Sequence, residues 1–140
     1  MNINYFTEEI EYNLEAKEAV TKWINASILN ENFLCGDINI IFTSDKYLLE
    51  INKKYLSHNY YTDIITFSYN DNDIINGDVF ISIDTVRKNA EKFNVSDEKE
   101  IHRVIIHGIL HLVGYNDKTD EEQEEMTKKE NYYIDKFENL

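Results

Sequence analysis

Residues 107–117 read HGILHLVGYND. Two histidines four residues apart are separated by about 400° of helical turn, so His107 and His111 share one face. Around them Val104, Ile105, Ile106, Ile109, Leu110, Leu112 and Val113 are apolar on almost every side. A helix of that kind has to be central and covered by other elements. An imidazole inside it needs partners for its nitrogens, because an unpaired buried polar group costs about 1–3 kcal/mol. The helix is expected to begin at Ser96, with Asp97 and Glu98 in a first turn whose dipole suits carboxylates, and to run to about Val113 with Gly114 as its stop.

The other elements have to cover this helix. Residues 2–6 read as a short strand, and apolar residues at helical spacing (Ile10, Leu14, Val20, Trp23, Ile24, Ile28) predict a helix from about Glu8 to Ile28, interrupted by Lys17. DINIIFTS (37–44) reads as a strand, and Ser44 caps a helix to about Tyr55. TDIITFSY (62–69) is β-branched and aromatic, NDNDIING is turn material, and GDVFISI (77–83) is a third long strand, after which Asp84 caps the helix TVRKNAEKF. Thr119 and Glu122 make a capping box for an acidic helix from Asp120 to about Phe137. In that helix DEEQEEMTKKE is expected to be a solvated face, with Met126, Tyr133 and Phe137 packing inward. The order predicts one domain, residues 1–140, of α+β class: an α/β sandwich around a mixed sheet of about four strands.

A divalent cation accounts for the two imidazoles, taking one nitrogen from each. Gly114 lets the chain turn without a Cβ penalty, so Asp117 can return to the same face and supply a carboxylate oxygen. His107, His111 and Asp117 are therefore the candidate metal ligands, with zinc as the expected ion and nickel or another divalent metal compatible with the same donors. Three protein ligands leave a fourth position for water, the catalytic rather than the structural pattern. One aspartate in place of a third histidine predicts a weaker Lewis acid and a less acidified water. The spacing H-x-x-x-H-x-x-G-x-x-D is similar to that of the metzincin proteases, but Gly108 stands where their catalytic glutamate belongs, which disfavours peptide hydrolysis.

Composition narrows the partners. A net charge of −13 argues against broad, nonspecific nucleic-acid binding, because phosphates are repelled at long range. It leaves room for a cation that supplies positive charge at one point. The single cysteine, Cys35, cannot form an intramolecular disulfide; no apolar run spans a bilayer, and the first residues, MNINYFTEEIEYN, lack the pattern of a signal peptide. A cytoplasmic protein without membrane association is expected.

Taken together, these stretches resemble the YbeY endoribonuclease family of rRNA maturation factors. HGILHLVGYND resembles the family's HGxLHLxGYDH signature, with Asn116 and Asp117 in its last two positions. INKKYLSHNYYTDIITFSY resembles its LNxxYRxxxxPTDVLSF segment, GDVFISIDTVRKNA its GDIxIS strand and following helix, and DEEQEEM its acidic continuation. The resemblance implies a zinc-dependent hydrolase of single-stranded RNA that processes ribosomal RNA, notably the 3′ end of the small-subunit RNA, takes part in ribosome quality control, and meets the small ribosomal subunit and its proteins. By motif position His107, His111 and Asp117 inherit the metal-ligand roles. Leu56 stands where the family usually has an arginine, and Tyr61 where it has proline.

Two roles are open to Arg103, one turn before His107: a substrate-binding residue holding a phosphate oxygen, or the partner of a carboxylate from the acidic helices. His58 is a loop histidine that can approach the cleft or stay solvated. His102 lies about 140° from His107 and faces elsewhere. Thr62 and Asp63 either cap the strand start or meet substrate. Lys53, Lys54, Arg87, Lys88 and Lys92 are candidates for a phosphate track or simply offset an acidic surface. No residue stands out as a general base. The alternatives to a nuclease are a weakly catalytic ribosome-assembly factor with a structural zinc and a hydrolase of another substrate.

Overall fold

The computed structural model describes residues 2–57 and 62–139; His58 and Tyr61 lie outside the described residues. The elements are β1 (Asn2–Glu8), α1 (Lys17–Asn30), β2 (Leu34–Thr43), α2 (Asp45–Leu56), β3 (Ile64–Ser68), β4 (Ile74–Ser82), α3 (Ile83–Phe93), α4 (Asp97–Leu112) and α5 (Asp120–Glu138). The four strands form one mixed sheet in the order β1-β2-β4-β3. β1 and β4 run parallel to β2, and β3 is antiparallel to β4. The protein is α+β, as the order of elements predicts.

The central strands carry the period-two pattern of a buried sheet. Ile38, Ile40 and Phe42 of β2 and Ile75, Val79 and Ile81 of β4 are all buried. α4 touches β3, β4, α1, α3 and α5, and Ile105 and Ile106 in its middle are fully enclosed. Burying a side chain of this size stabilises by about 1.5–3 kcal/mol, so this helix organises the core. Its approach to the sheet depends on Gly108. A Cβ there would lie 2.7 Å from Ile64 Cδ1 and 2.8 Å from Val79 Cγ1.

The caps read from the sequence form at Ser44, Ser96 and Thr119, each accepting a backbone N–H three residues on, and Thr119 with Glu122 closes the capping box. Three expectations are corrected. The helix expected from Glu8 starts at Lys17, because β1 continues to Glu8 in register with Thr43, and residues 9–16 turn with Glu9 and Ala16 at positive φ. Ile10 and Leu14 still pack on the core, from irregular chain, and Lys17 opens the helix instead of interrupting it. Further on, Ser82 caps α3, not Asp84. The Asp84 carboxylate accepts the Asp45 backbone N–H at 2.9 Å. β4 also begins earlier than expected, at Ile74, because Asn70 accepts Asn76 N–H at 2.8 Å and donates to Leu112 O at 2.8 Å, which ties the hairpin to the end of α4. No helix among the described residues is long and apolar enough to cross a membrane.

Candidate metal centre

α4 ends as its glycine predicts. Gly114 has φ +112°, Gly114 N–H donates to His111 O at 3.1 Å, and Tyr115 N–H donates to Leu110 O at 3.0 Å, the paired bonds of a Schellman motif. This turn sends the chain back along the helix. Asp117 Oδ2 then lies 3.2 Å from His107 Nε2 and 3.3 Å from His111 Nε2, and the two Nε2 atoms are 3.0 Å apart. Among the described residues, no other group of three or more His, Cys, Asp or Glu brings its donor atoms this close together.

The far nitrogens decide what this triangle is. His107 Nδ1 lies 2.5 Å from Glu130 Oε2, and His111 Nδ1 lies 2.9 Å from Tyr115 O. A carboxylate and a carbonyl only accept, so both Nδ1 atoms carry the ring proton and both Nε2 atoms present lone pairs. Two lone pairs and a carboxylate oxygen thus face one another with no donor among them. Only an extra proton or a cation makes that arrangement favourable. Burial pulls the His107 pKa down, but the hydrogen bond and charge of Glu130, with Asp63 and Asp117, outweigh it and raise it above the ordinary value. A tetrahedral ion with bonds of about 2.0–2.1 Å spans donor–donor edges of about 3.3–3.4 Å, so the triangle fits such an ion with little adjustment.

The three residues line a cleft of about 240 Å³ with Thr62, Asp63, Ile64 and Thr66 from the β3 side. Thr62 Oγ1 donates weakly to Ile64 O, 3.4 Å away, the local bond expected at a strand start. A larger groove of about 910 Å³ between α1 and α5 has one carboxylate, Glu18, and no histidine among its described lining residues.

Other residues singled out in the sequence fall outside the cleft. Arg103 makes the ion pair, not an approach to the cleft: Nη1 is 3.0 Å from Glu130 Oε1 and Nη2 3.0 Å from Asn131 Oδ1. His102 is buried edge-on against Trp23 and Phe137, and that burial holds its pKa below the ordinary value. Lys88 pairs with Asp45 and Lys53 with Glu50, while Lys54 and Lys92 lie over Tyr55 and Phe93; none of these, nor Arg87, lines the cleft. Glu130 was expected on a solvated face and is instead buried. The signal for it is spacing: it lies four residues after Met126 and three before Tyr133, on the inward stripe of α5.

Fold and site thus define an α+β protein with an open, three-donor candidate metal centre. The endoribonuclease YbeY family matches residues 2–138. Relatives named Endoribonuclease YbeY include one from Parabacteroides distasonis, 51% identical over 94% of this chain and 92% of its own length. Another, from Flavobacterium johnsoniae, is 46% identical over 98% and 96%. A solution structure from Thermotoga maritima superposes with a TM-score of 0.66 at 27% identity, covering 97% of this chain and 89% of that one. The chain belongs to the YbeY endoribonuclease family, a family of nuclease hydrolases.

Proposed function

We propose that residues 1–140 form a single hydrolase domain that cuts single-stranded RNA in the cytoplasm, with one zinc ion held by His107, His111 and Asp117. The substrate is ribosomal RNA, notably the 3′ end of the small-subunit RNA, met on the small subunit with its proteins, and the activity serves rRNA maturation and ribosome quality control. Family membership supports the reaction class. The observation that carries the metal is the facing of two imidazole Nε2 atoms and a carboxylate oxygen across 3.0–3.3 Å, with both Nδ1 atoms engaged by acceptors.

A bound divalent cation supplies Lewis acidity to a water and to a phosphoryl oxygen. The chain's own residues supply the rest. His107, His111 and Asp117 hold the ion at one wall of the cleft, and Thr62, Asp63 and Thr66 form the wall opposite. Asp63 places a proton acceptor on that second wall. Gly108 cannot, since it has no side chain and no room for one. The ion's charge also offsets, at one point, the repulsion that a chain of net charge −13 exerts on phosphate.

One observation favours a second reading, a weakly catalytic assembly factor. Leu56, at the end of α2 and 40% exposed, stands where the family motif has an arginine. Metal-replete protein and a His111→Ala variant, each incubated with single-stranded fragments of small-subunit rRNA, separate the readings. Cleavage by the first alone supports the nuclease. Equal cleavage by both sinks it, and cleavage by neither, with the metal bound to the unmutated protein, supports the assembly factor. A substrate with a single deoxynucleotide at the cut site then tells water attack from 2′-hydroxyl attack.

A further inference from the structure

We infer that Glu130, backed by Arg103, is a positioning residue for the metal centre: it fixes the ring orientation and tautomer of His107 from the side opposite the cleft. The inference rests on the metal reading above and concerns residues that the family motif does not include.

Glu130 comes from α5, 23 residues from His107, and its side chain is 9% exposed. Its two oxygens are divided between two partners. Oε2 takes the proton of His107 Nδ1 at 2.5 Å, and Oε1 takes an Arg103 N–H at 3.0 Å. Arg103 is held in turn by Asn131 Oδ1 at 3.0 Å. A buried carboxylate beside one imidazole would be costly without a full counter-charge, and the guanidinium supplies it. The result is a chain of charge-assisted bonds, Asn131–Arg103–Glu130–His107, that ends with the His107 Nε2 lone pair aimed into the cleft. Partners of this kind orient a metal-bound imidazole and raise its basicity, and their loss typically lowers metal affinity about 10- to 100-fold.

His111 is supported differently. Its Nδ1 partner is the neutral carbonyl of Tyr115, whose phenol donates to Glu31 at 2.7 Å, and Glu31 also receives Lys129 and the Tyr133 hydroxyl. Removing Glu130 therefore leaves His111 and Asp117 in place and frees the ring of His107 to turn.

The test is zinc affinity by chelator competition, with nitrogen NMR of the His107 ring and thermal melting of the metal-free protein as companion readouts. Glu130→Ala is expected to weaken zinc binding about 10- to 100-fold and to mix the His107 tautomers, while Glu130→Gln, which keeps an acceptor but loses the charge, falls between it and the unmutated protein. Arg103→Ala is expected to lower zinc affinity by a smaller factor and to leave RNA affinity at saturating zinc unchanged. Zinc affinity within twofold of the unmutated value for both Glu130 variants overturns the proposal, as does a His107 ring protonated at Nε2 in the zinc-loaded unmutated protein. If Glu130→Ala fails to fold, the Gln variant and the NMR of the unmutated protein decide. Arg103→Ala that weakens RNA binding but not zinc binding overturns the role given to Arg103. Failure of the unmutated protein to bind zinc is a different result, and sinks the metal reading itself.

Discussion

Asp45 and Asp117 both gather side chains from distant parts of the chain, and they gather opposite kinds. The Asp45 carboxylate receives the hydroxyl of Ser82, that of Thr85 at 2.5 Å and the ammonium of Lys88 at 3.2 Å. Donors meet an acceptor, and the cluster joins the start of α2 to the start of α3. The Asp117 carboxylate meets two imidazole nitrogens whose ring partners, the Nδ1 atoms, are already engaged by acceptors on the far side. Both clusters are polar, partly buried and built by a helix end. What separates a structural cluster from a ligand site is the balance of donors and acceptors, not the number of charged groups.

That comparison can be broken most sharply at Asp117. Asp117→Ala is expected to lower zinc affinity by more than the about 100-fold upper range for losing a supporting partner, with the melting of the metal-free protein little changed, as read by chelator competition and thermal scans. Equal affinity for both proteins would remove the distinction. Asp45→Ala should do the reverse, costing about 1–3 kcal/mol in urea unfolding at neutral pH with zinc affinity within twofold. Burial raises the Asp45 pKa, but Ser82, Thr85 and Lys88 outweigh it and hold the carboxyl below its ordinary value. Its stabilisation is therefore complete above the unfolded carboxylate range, about 3.9, and lost as pH falls through the lower folded value. The gap between the variant and the unmutated protein should close in acid, and a gap that widened there would contradict the cluster's assignment. Gly108→Ala crowds Ile64 and Val79 for about 1–3 kcal/mol, with the three ligand atoms keeping their affinity if β3 yields and α4 does not. The smallest effect belongs to Thr119→Ala. Loss of this cap should cost about 1 kcal/mol of stability and leave measured zinc affinity unchanged, since Glu130 lies well beyond the first turn of α5.

The sequence makes legible what is local. Ser44, Ser96 and Thr119 cap helices through bonds spanning three residues, and Gly114 stops α4 within two. His107, His111 and Asp117 can be grouped for the same reason, since one helix turn and one bend bring them together. The boundary between β1 and α1 is not local. Ile10 and Leu14 have helical spacing, yet the strand extends because Glu8 pairs with Thr43, 35 residues on. Glu130 was hidden among the carboxylates of α5, and only its place in the stripe with Met126 and Tyr133 distinguishes it. Spacing leaves two roles open to Arg103, and the ion pair it makes with Glu130 of α5 depends on tertiary packing that spacing does not show.

The close seat of Gly108 against β3 has a consequence for how this scaffold can change its trade. A protease of similar spacing needs a long acidic side chain at that position, and here the sheet already fills the space such a side chain would occupy. No single codon change converts one catalyst into the other, because the first step would wedge the strand away before any new activity appeared. The route between the two chemistries passes through a rebuilt helix–strand seam, which makes the kind of bond this fold can cut a property of its packing as much as of the donor atoms in its cleft.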